Sequence, residues 1–551
     1  MTNKEIANKF QELANLMELH EENKFKIRSY ANAYITLRKL GDPLVEMSDE
    51  EMIGIKGVGK SVAAKIRELL NHGEMAATKK YTSQTPPGVV EMLKIKGFGP
   101  KKIRVIWKEL GAESVGELLY ACNENRLIEL KGFGLKTQED LIQKIEYFLT
   151  SRNKFHYARL EQDANVLLEK IQTQLGDVEV SLVGEMRRRC PIVNVIEILI
   201  GTDQPIDAIF ADESLQLEEQ HNNQYTARTA NEKPVIIYTC PPAAFGSKLF
   251  RYSSSDEFLK AFIQQNEGVD FKGLAFENDI FEKANLPFVV PELRESADIL
   301  ELAKKDQLPE LVEEKDIKGV IHSHSTYSDG INSLKEMAEY SKALGYQYLG
   351  ITDHSKSAFY ANGLKEDRLL QQFAEIDELN KALAPFKIFK GIESDILNDG
   401  ALDYPTDILR QFDFIIASVH SNLKMDKDKA TTRLLKAIEN RYTTILGHPT
   451  GRLLLSRKGY PIDHKKIIDA CAANQVAIEL NANPYRLDLD WTWIPYALEK
   501  GVLISVNPDA HSTQGIHDIH FGTLAARKGR LTKEMCLNAR DLEGFKAFVS
   551  I

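Results

Sequence analysis

Residues 319–324 read GVIHSH, a short apolar run that ends in two histidines. Helical patterns alternate with six further runs, each with a polar residue at its end or one position before it: YLGITDH at 348–354, IFKGIES at 388–394, FIIASVH at 414–420, TTILGHP at 443–449, VAIELNA at 476–482 and VLISVNPDAH at 502–511. Repeated strand–helix units favour parallel strands. Barrels built this way carry their reactive residues at the carboxyl ends of the strands. We therefore predict a single rim that gathers these polar residues.

The polar residues at this rim are of the types that bind metals. Residues two apart in a strand point the same way, so His322 and His324 can both reach one ion, as can Asp509 and His511 if their strand continues. Mixed imidazole and carboxylate donors suit zinc, manganese or iron, whereas calcium and magnesium prefer oxygen shells. Each histidine alone is well explained as a core or surface residue, but their joint regularity favours a metal site. The candidate ligands are His322, His324, Asp329, His354, Glu393, His420, His448, Asp509 and His511.

Other histidines and one aspartate near the motifs receive different assignments. Asp353 is expected to orient a ligand rather than bind a metal. The isolated histidines lie in polar segments without ligand spacing and are given no role: His20, His72, His464, His517 and His520.

From Gly319 to about Lys528 the chain resembles the polymerase and histidinol phosphatase (PHP) superfamily, whose fold is a distorted (β/α)7 barrel. The resemblance implies three divalent ions, with manganese favoured and zinc or iron as alternatives. It groups the ligands as His322, His324, Glu393 and Asp509 around one ion, Asp329, His354 and His511 around a second, and His420, His448 and a bridging Glu393 around a third.

Such a centre activates water near neutral pH and neutralises phosphoryl oxygens, so phosphoester hydrolysis is the expected chemistry. Glu393 and Asp329 are the candidate catalytic carboxylates. Arg452 in GHPTGR and Arg486 in NANPYR either clamp a phosphate or form salt bridges at the rim.

The first 150 residues are rich in helix formers and contain a repeated motif: IKGVGK from Ile55, IKGFGPKK from Ile95 and LKGFGLK from Leu130. A Gly-apolar-Gly turn lets the following helix present free N–H groups to a phosphate, as in helix-hairpin-helix motifs. Flanking lysines add affinity without reading sequence. The candidate DNA contacts are Gly57, Gly59, Lys60, Gly97, Gly99, Lys101, Lys102, Gly132, Gly134 and Lys136.

The order of FKIRSYANAY at 25–34, the hairpins, PELRES at 291–296 and the metal motifs resembles bacterial family X DNA polymerases. The resemblance implies DNA repair. It also places Lys65 where related polymerases carry a lysine that forms a Schiff base with abasic deoxyribose, although an exposed helical lysine is the alternative.

Residues 151–315 are predicted to form an α+β, nucleotidyltransferase-like palm that departs from this family. Nucleotidyl transfer needs carboxylates that hold two magnesium ions. In NVIEILI at 194–200, Val195 and Glu197 stand where the family has aspartates, and the third position is Ile236. Glu185 in GEMRR replaces a phosphate-binding serine. We therefore expect no templated synthesis, with Arg187, Arg188 and Arg189 as residual phosphate contacts.

A chain of 551 residues is longer than one hydrophobic core usually supports. We predict an all-α region at 1–150, the degenerate palm at 151–315 and the barrel at 316–551. The net charge of -10 does not exclude local basic patches. The five cysteines are widely spaced, which suits free thiols in a reducing compartment. Without a signal or membrane segment, the chain is predicted to be cytoplasmic and monomeric.

The expected function is metal-dependent 3′-5′ exonuclease activity with abasic-site or 3′-end processing, on single-stranded ends and on gapped or abasic DNA. The alternatives are a small-molecule phosphatase of histidinol-phosphate type and a non-catalytic DNA scaffold.

Overall fold

The computed structural model describes residues 1–123, 127–150, 154–211, 213–455 and 458–550. The chain divides into two compact units, Met1–Arg152 and Asn153–Ile551. Within the described ranges, no helix has both the length and the apolar character needed to cross a membrane.

The first unit is all-helical, as predicted. The apolar face of its first helix, formed by Ile6, Phe10, Leu13 and Met17, is buried in the core. The helices are α1 Asn3–Leu19, α2 Lys24–Leu37, α3 Asp49–Gly54, α4 Lys60–His72, α5 Ala76–Ser83, α6 Pro87–Met92, α7 Pro100–Val105, α8 Val115–Asn123 and α9 Leu135–Thr150.

The three repeated motifs adopt the same turn. Their first glycines have φ values of 92° at Gly57, 75° at Gly97 and 91° at Gly132, a region that glycine tolerates best. In each turn the apolar residue between the glycines donates its N–H to a carbonyl three residues earlier, at 2.9 to 3.2 Å. The second glycine immediately precedes α4, α7 or α9. The repeat therefore encodes one backbone shape, used three times.

The second unit begins with a mixed five-stranded sheet in the order β2-β4-β7-β6-β5, in which β4 pairs antiparallel with β2 and parallel with β7. Its alternating apolar residues pack against α10. The elements are β1 Phe155–His156, α10 Tyr157–Leu175, β2 Glu179–Val183, α11 Gly184–Arg187, β3 Ile192–Val193, β4 Ile196–Gly201, β5 Leu215–His221, β6 Gln224–Thr229, β7 Pro234–Cys240, α12 Phe245–Tyr252, α13 Asp256–Gln265, α14 Asn278–Lys283 and α15 Asp298–Lys304.

Seven parallel strands follow in sequential order, which confirms the strand predicted for each apolar run. The barrel nearly closes where His324 N donates to Ala510 O at 2.8 Å and Ala510 N donates to His322 O at 3.3 Å. The elements are β8 Gly319–Val320, α16 Leu334–Ala343, β9 Tyr348–Ile351, α17 Glu366–Leu383, β10 Lys387–Asp395, α18 Thr406–Leu409, β11 Phe414–Ser418, α19 Lys427–Ile438, β12 Ile445–Leu446, α20 His464–Asn474, β13 Ala477–Asn481, α21 Ile494–Glu499, β14 Ile504–Asn507, α22 Ile519–Lys528 and α23 Leu542–Val549.

Candidate metal centre

The nine predicted ligands meet at the carboxyl ends of the barrel strands. Glu393 lies within β10, and the other eight lie in the segments that follow β8, β9, β11, β12 and β14. Parallel strands in sequential order bring these ends to one rim. The fold thereby gathers side chains that are up to 189 positions apart, from His322 to His511.

A buried group forms around Asp509, whose side chain is 9% exposed. Its Oδ1 lies 3.4 Å from His322 Nε2 and 3.0 Å from His324 Nε2, and Glu393 Oε2 lies 3.5 Å from His322 Nε2. Ligand atoms of His322, His324 and Asp509 all lie within 4.8 Å of one another, close enough to share an ion.

A second group lies on the open side of the rim. Ligand atoms of His324, Asp329, His354 and His511 also lie within 4.8 Å of one another. Asp329 Oδ1 is 3.4 Å from His511 Nε2 and 3.7 Å from His354 Nε2. The side chains of Asp329 and His511 are 33% and 41% exposed, whereas those of His322 and His324 are inaccessible. Solvent therefore reaches the centre through this group.

Glu393 links the second group to a third. Its Oε1 lies 3.1 Å from His420 Nε2 and 3.0 Å from His448 Nε2, while its Oε2 lies 3.0 Å from His354 Nδ1. This carboxylate is 1% exposed. One buried carboxylate between three imidazoles is the arrangement that a bridging ligand requires.

Asp509 and His511 do not share a group, contrary to the alternation that a continuous strand would give. Strand β14 ends at Asn507, and Asp509 has a left-handed φ of 52°. The backbone therefore turns, so that Asp509 faces His322 while His511 faces Asp329. A non-glycine residue in this conformation is strained and typically occurs where function demands it.

The donor set fits divalent metal ions. Among the described residues, His322 Nε2, His448 Nδ1 and Glu393 Oε2 are buried polar atoms without a hydrogen bond. The 3.5 Å between His322 Nε2 and Glu393 Oε2 exceeds the usual N–H···O range. Buried polar atoms are normally paired, and an ion between His322 Nε2 and Glu393 Oε2 would satisfy both atoms.

Carboxylates behind the ligands hold the imidazoles in place. Glu479 Oε2 lies 2.7 Å from His322 Nδ1, and Asp395 Oδ1 lies 2.5 Å from His420 Nδ1. These bonds leave the Nε2 atoms of both histidines directed at the ligand groups. Asp353, which was expected to orient a ligand, accepts hydrogen bonds from Ser325, Ser328 and Gln372, none of which is a candidate ligand.

Sequence reasoning missed Glu479 and Asp395. Asp395 is the last residue of β10, just after GIES, and Glu479 lies two residues before the end of β13, in VAIELNA, so both are close to the strand ends where the candidate ligands were predicted. That position was the only signal in the sequence that could have found them.

In the cluster, burial and the neighbouring carboxylate charges shift the histidine pKa values in opposite directions. Burial lowers the pKa of His322, but the charges of Glu479 and Asp509 raise it well above its ordinary value overall. Burial also acts on His420, whose pKa Glu393 and Asp395 raise to about 10. Concentrated negative charge of this kind favours cations, either protons on the imidazoles or metal ions between them.

The rim arginine has partners inside the protein. Arg452 Nε donates to Arg486 O at 3.1 Å, and its other nitrogens contact Leu487 O and the carboxylate of Asp490. Of the two interpretations of Arg452, this geometry favours the salt bridge over the phosphate clamp.

The arginines of the GEMRRR turn are likewise engaged. Arg187 forms two hydrogen bonds with Glu277, at 2.8 and 2.6 Å, and Arg188 contacts Glu295 at 3.0 Å. Arg189 contacts the hydroxyl of Tyr157. The three arginines that were predicted to contact phosphate therefore contact other residues of the protein.

In the palm-like sheet, Glu197 on β4 lies opposite Ile236 on β7. Burial raises the pKa of Glu197, and its Oε1 accepts a hydrogen bond from Tyr238 at 3.1 Å. Its Oε2 packs onto Gly184, where an added Cβ would lie only 1.7 Å away. Glu185, in place of the serine, accepts from Asn194 N at 2.7 Å.

Comparison with known proteins places these parts in one family. A helix-hairpin-helix domain matches residues 1–75, a SAM-like helix-hairpin-helix tandem matches 89–146 and a PHP domain matches 321–483. A "DNA polymerase/3'-5' exonuclease PolX" of Bacillus subtilis is 33% identical over 100% of this chain and 99% of its own length.

Shorter relatives match part of the chain. A probable phosphatase of Acetivibrio thermocellus is 28% identical over 30% of this chain and 65% of its own length. Another, of Thermoanaerobacter sp., is 27% identical over 39% of this chain and 88% of its own length. The PHP match and the clustered ligands support an enzyme that acts on phosphoesters with metal ions, and the hairpin matches support DNA binding. The chain thus belongs to the bacterial family X DNA polymerases that carry a PHP domain.

Proposed function

We propose that this protein is a metal-dependent DNA phosphodiesterase, a 3′-5′ exonuclease whose catalytic centre is the barrel rim. The observation that carries the proposal is the convergence of all nine ligand side chains at one rim, in a chain with three helix-hairpin-helix turns. Abasic-site or 3′-end processing extends the same hydrolysis to damaged ends.

Three divalent ions, manganese by family resemblance, would activate water and neutralise phosphoryl charge when bound. Around them, Glu393 bridges the groups and Asp329 faces solvent with His511, where a phosphodiester can approach. Glu479 and Asp395 hold His322 and His420 in the orientation that binding requires. Precise placement of ligands by such contacts is a large part of metal-site function.

We further propose that the palm-like region at 151–315 no longer synthesises DNA. At the three positions expected to carry metal-binding carboxylates, Val195 and Ile236 have none, and Glu197 is bound to Tyr238. The Glu197 side chain fills the space over Gly184 at the start of α11. A primer-extension assay should give no metal-dependent dNTP incorporation, and clear incorporation would refute this part of the proposal.

The helical region at 1–150 would hold DNA for the barrel at 316–551. The exposed Lys101 and Lys102 of α7, together with Lys60 and Lys136 after the other turns, supply positive charge at the helix N-termini. Lys65 lies on α4 and pairs with Glu68 at 3.0 Å, so a lyase role would require that pair to open.

The nuclease proposal is tested by exchanging His322 or Glu393 for alanine. Cleavage of labelled single-stranded DNA with Mn²⁺ should disappear while DNA binding through the hairpins persists. Lys533→Ala, at an exposed site of the same barrel, is the matched control. Undiminished cleavage by both ligand variants would refute the proposal.

The probable phosphatases that match part of the chain favour a second candidate, hydrolysis of a small phosphomonoester. The three helix-hairpin-helix turns favour DNA as the substrate, because hydrolysis of a small phosphomonoester does not need DNA-binding motifs. Comparing kcat/KM for histidinol phosphate and for an oligonucleotide decides between them. A protein that binds DNA and metal but hydrolyses neither substrate would instead be a scaffold.

A further inference from the structure

The mouth of the metal centre carries apolar side chains that its hydrolytic chemistry does not need. Among described side chains of residues 316–550, Phe359 is the most exposed large apolar one at 84%, and Ile331 follows at 76%. Phe359 lies five residues after His354 and Ile331 two residues after Asp329. Both therefore belong to the loops that supply ligands to the open side of the centre.

The loop that carries Phe359 is held firmly. Ala358 and Ala361 on either side are buried, so Phe359 projects between two anchored positions. Leu364 N donates to His354 O at 2.8 Å and closes the loop. An added Cβ on Gly363 would lie 1.9 Å from Ser355 O, so the chain crosses itself closely there.

This loop is also tied to the metal ligands. Ser357 Oγ donates to Asp395 Oδ2 at 2.7 Å, and the other oxygen of Asp395 holds His420 at 2.5 Å. A rotation of the Phe359 turn would therefore disturb a ligand. The backbone of the Phe359 turn is therefore held in place relative to the candidate metal centre.

The loop with Ile331 is joined to the same frame. Ile331 N donates to His511 O at 2.9 Å, next to the exposed ligand. Asn362 Nδ2, from the Phe359 loop, lies 3.4 Å from Tyr327 O of the Ile331 loop, and Arg368 bridges the same two residues. The loops that carry the two apolar side chains are thus joined to each other and to the segment of His511.

We propose that Phe359, with Ile331 beside it, forms a stacking platform for the terminal base of a single-stranded nucleic acid whose phosphodiester enters the metal centre. Exposed aromatic rings on rigid supports bind bases by stacking without reading sequence, since every base has a π-face. A base engaged in a duplex has no free face, so the platform selects unpaired ends. This inference rests on the proposed nuclease function and adds a residue that determines its substrate.

The test compares two single-stranded oligonucleotides that differ only at the 3′ terminus, one ending in adenosine and one in an abasic tetrahydrofuran. Stacking predicts that wild-type kcat/KM is roughly 5- to 100-fold higher for the intact base. Phe359→Ala should abolish this preference and Phe359→Trp should keep it. Leu370→Ala, which removes a 62% exposed side chain from α17, is the matched control and should behave as wild type.

The outcomes separate this inference from the proposed function. A Phe359→Ala variant that keeps the wild-type preference, or that loses activity equally on both substrates, overturns the stacking platform and leaves the nuclease intact. Wild-type protein without preference also overturns it. Wild-type protein that cleaves neither oligonucleotide ends both proposals.

Discussion

At the scale of single residues, side chains outside the nine candidate ligands hold the candidate metal centre in place. Glu479 is fully buried, and besides His322 it accepts hydrogen bonds from Asn507 at 2.9 Å, Asn481 at 3.0 Å and the backbone of His448 at 3.2 Å. Glu479 therefore contacts His322 and His448, which belong to two different ligand groups. A carboxylate placed in this way fixes the histidine tautomer and raises its basicity as a ligand.

Replacing Glu479 with glutamine should lower metal affinity roughly 10- to 100-fold, because the orienting charge is lost while the volume is kept. Titration calorimetry with Mn²⁺ measures the affinity. Glu534→Gln, at an exposed position of the same barrel, serves as the control. Equal affinities for Glu479→Gln and wild type would show that this contact does not support metal binding.

Metal binding should also depend on pH. Burial lowers the pKa of His511, but Asp329 and Asp509 raise it to about 9, and that of His420 is raised to about 10. Below these values both imidazoles carry protons, which a metal ion must displace. Affinity should therefore rise from pH 6 to pH 9.

Calorimetry in buffers of different ionisation enthalpy checks this dependence through the protons released. A binding enthalpy that does not change with the buffer would contradict the raised pKa values.

The sequence predicted the candidate ligands but not the residues that support them. The nine candidates could be picked out because each lies in or near an apolar run that ends in polar residues. Glu479 could not, because a single glutamate in VAIELNA gains its meaning from His322, 157 residues away. Arg452 was ambiguous for the same reason, since its partner Asp490 is 38 residues distant.

At the scale of elements, short runs proved sufficient to form the barrel. Strands β8 and β12 contain only two residues each, yet GVIHSH and TTILGHP predicted both. Strand β14 ends at Asn507 and Asp509 has a left-handed φ of 52°, so the condition under which Asp509 and His511 would reach one ion is not met. Side-chain alternation is a property of extended backbone, so the sequence pattern could not predict this turn.

The hairpins should contribute to DNA affinity through charge. Replacing Lys101 and Lys102, exposed at the start of α7, with glutamine should weaken binding to all sequences alike and reduce the slope of log affinity against log salt by about 1 to 2. Fluorescence anisotropy at several salt concentrations measures both. Lys4→Gln on α1 is the control, and an unchanged slope in the double variant would exclude contact between these lysines and phosphates.

At the scale of the whole molecule, the palm-like region is bound to the barrel by buried charge. Lys528, on α22 of the barrel, has a 1% exposed side chain and contacts Glu295 at 2.5 Å and Arg188 O at 2.9 Å. Arg188 belongs to the turn that resembles a phosphate-binding turn of polymerases. The contacts of Arg188 now join the palm-like region to the barrel within one compact unit.

Lys528→Met should therefore destabilise the second unit by about 3 kcal/mol, because Glu295 would lose a buried partner. Urea unfolding with a probe in residues 153–551 measures the change. Lys533→Met, at a 53% exposed site, should change stability far less. Equal effects of the two substitutions would refute a structural role for this contact.

If metal ions at the barrel rim cleave DNA, cleavage must depend on how many ions are bound. The test is to strip the full-length protein with a chelator, restore Mn²⁺ in steps, and record the bound metal per chain with the rate of single-stranded DNA cleavage. We expect no cleavage without metal and a rate that rises until about three ions are bound, in keeping with the three ligand groups. Cleavage that persists in the stripped protein, or a fully loaded protein that leaves DNA intact, would contradict this expectation.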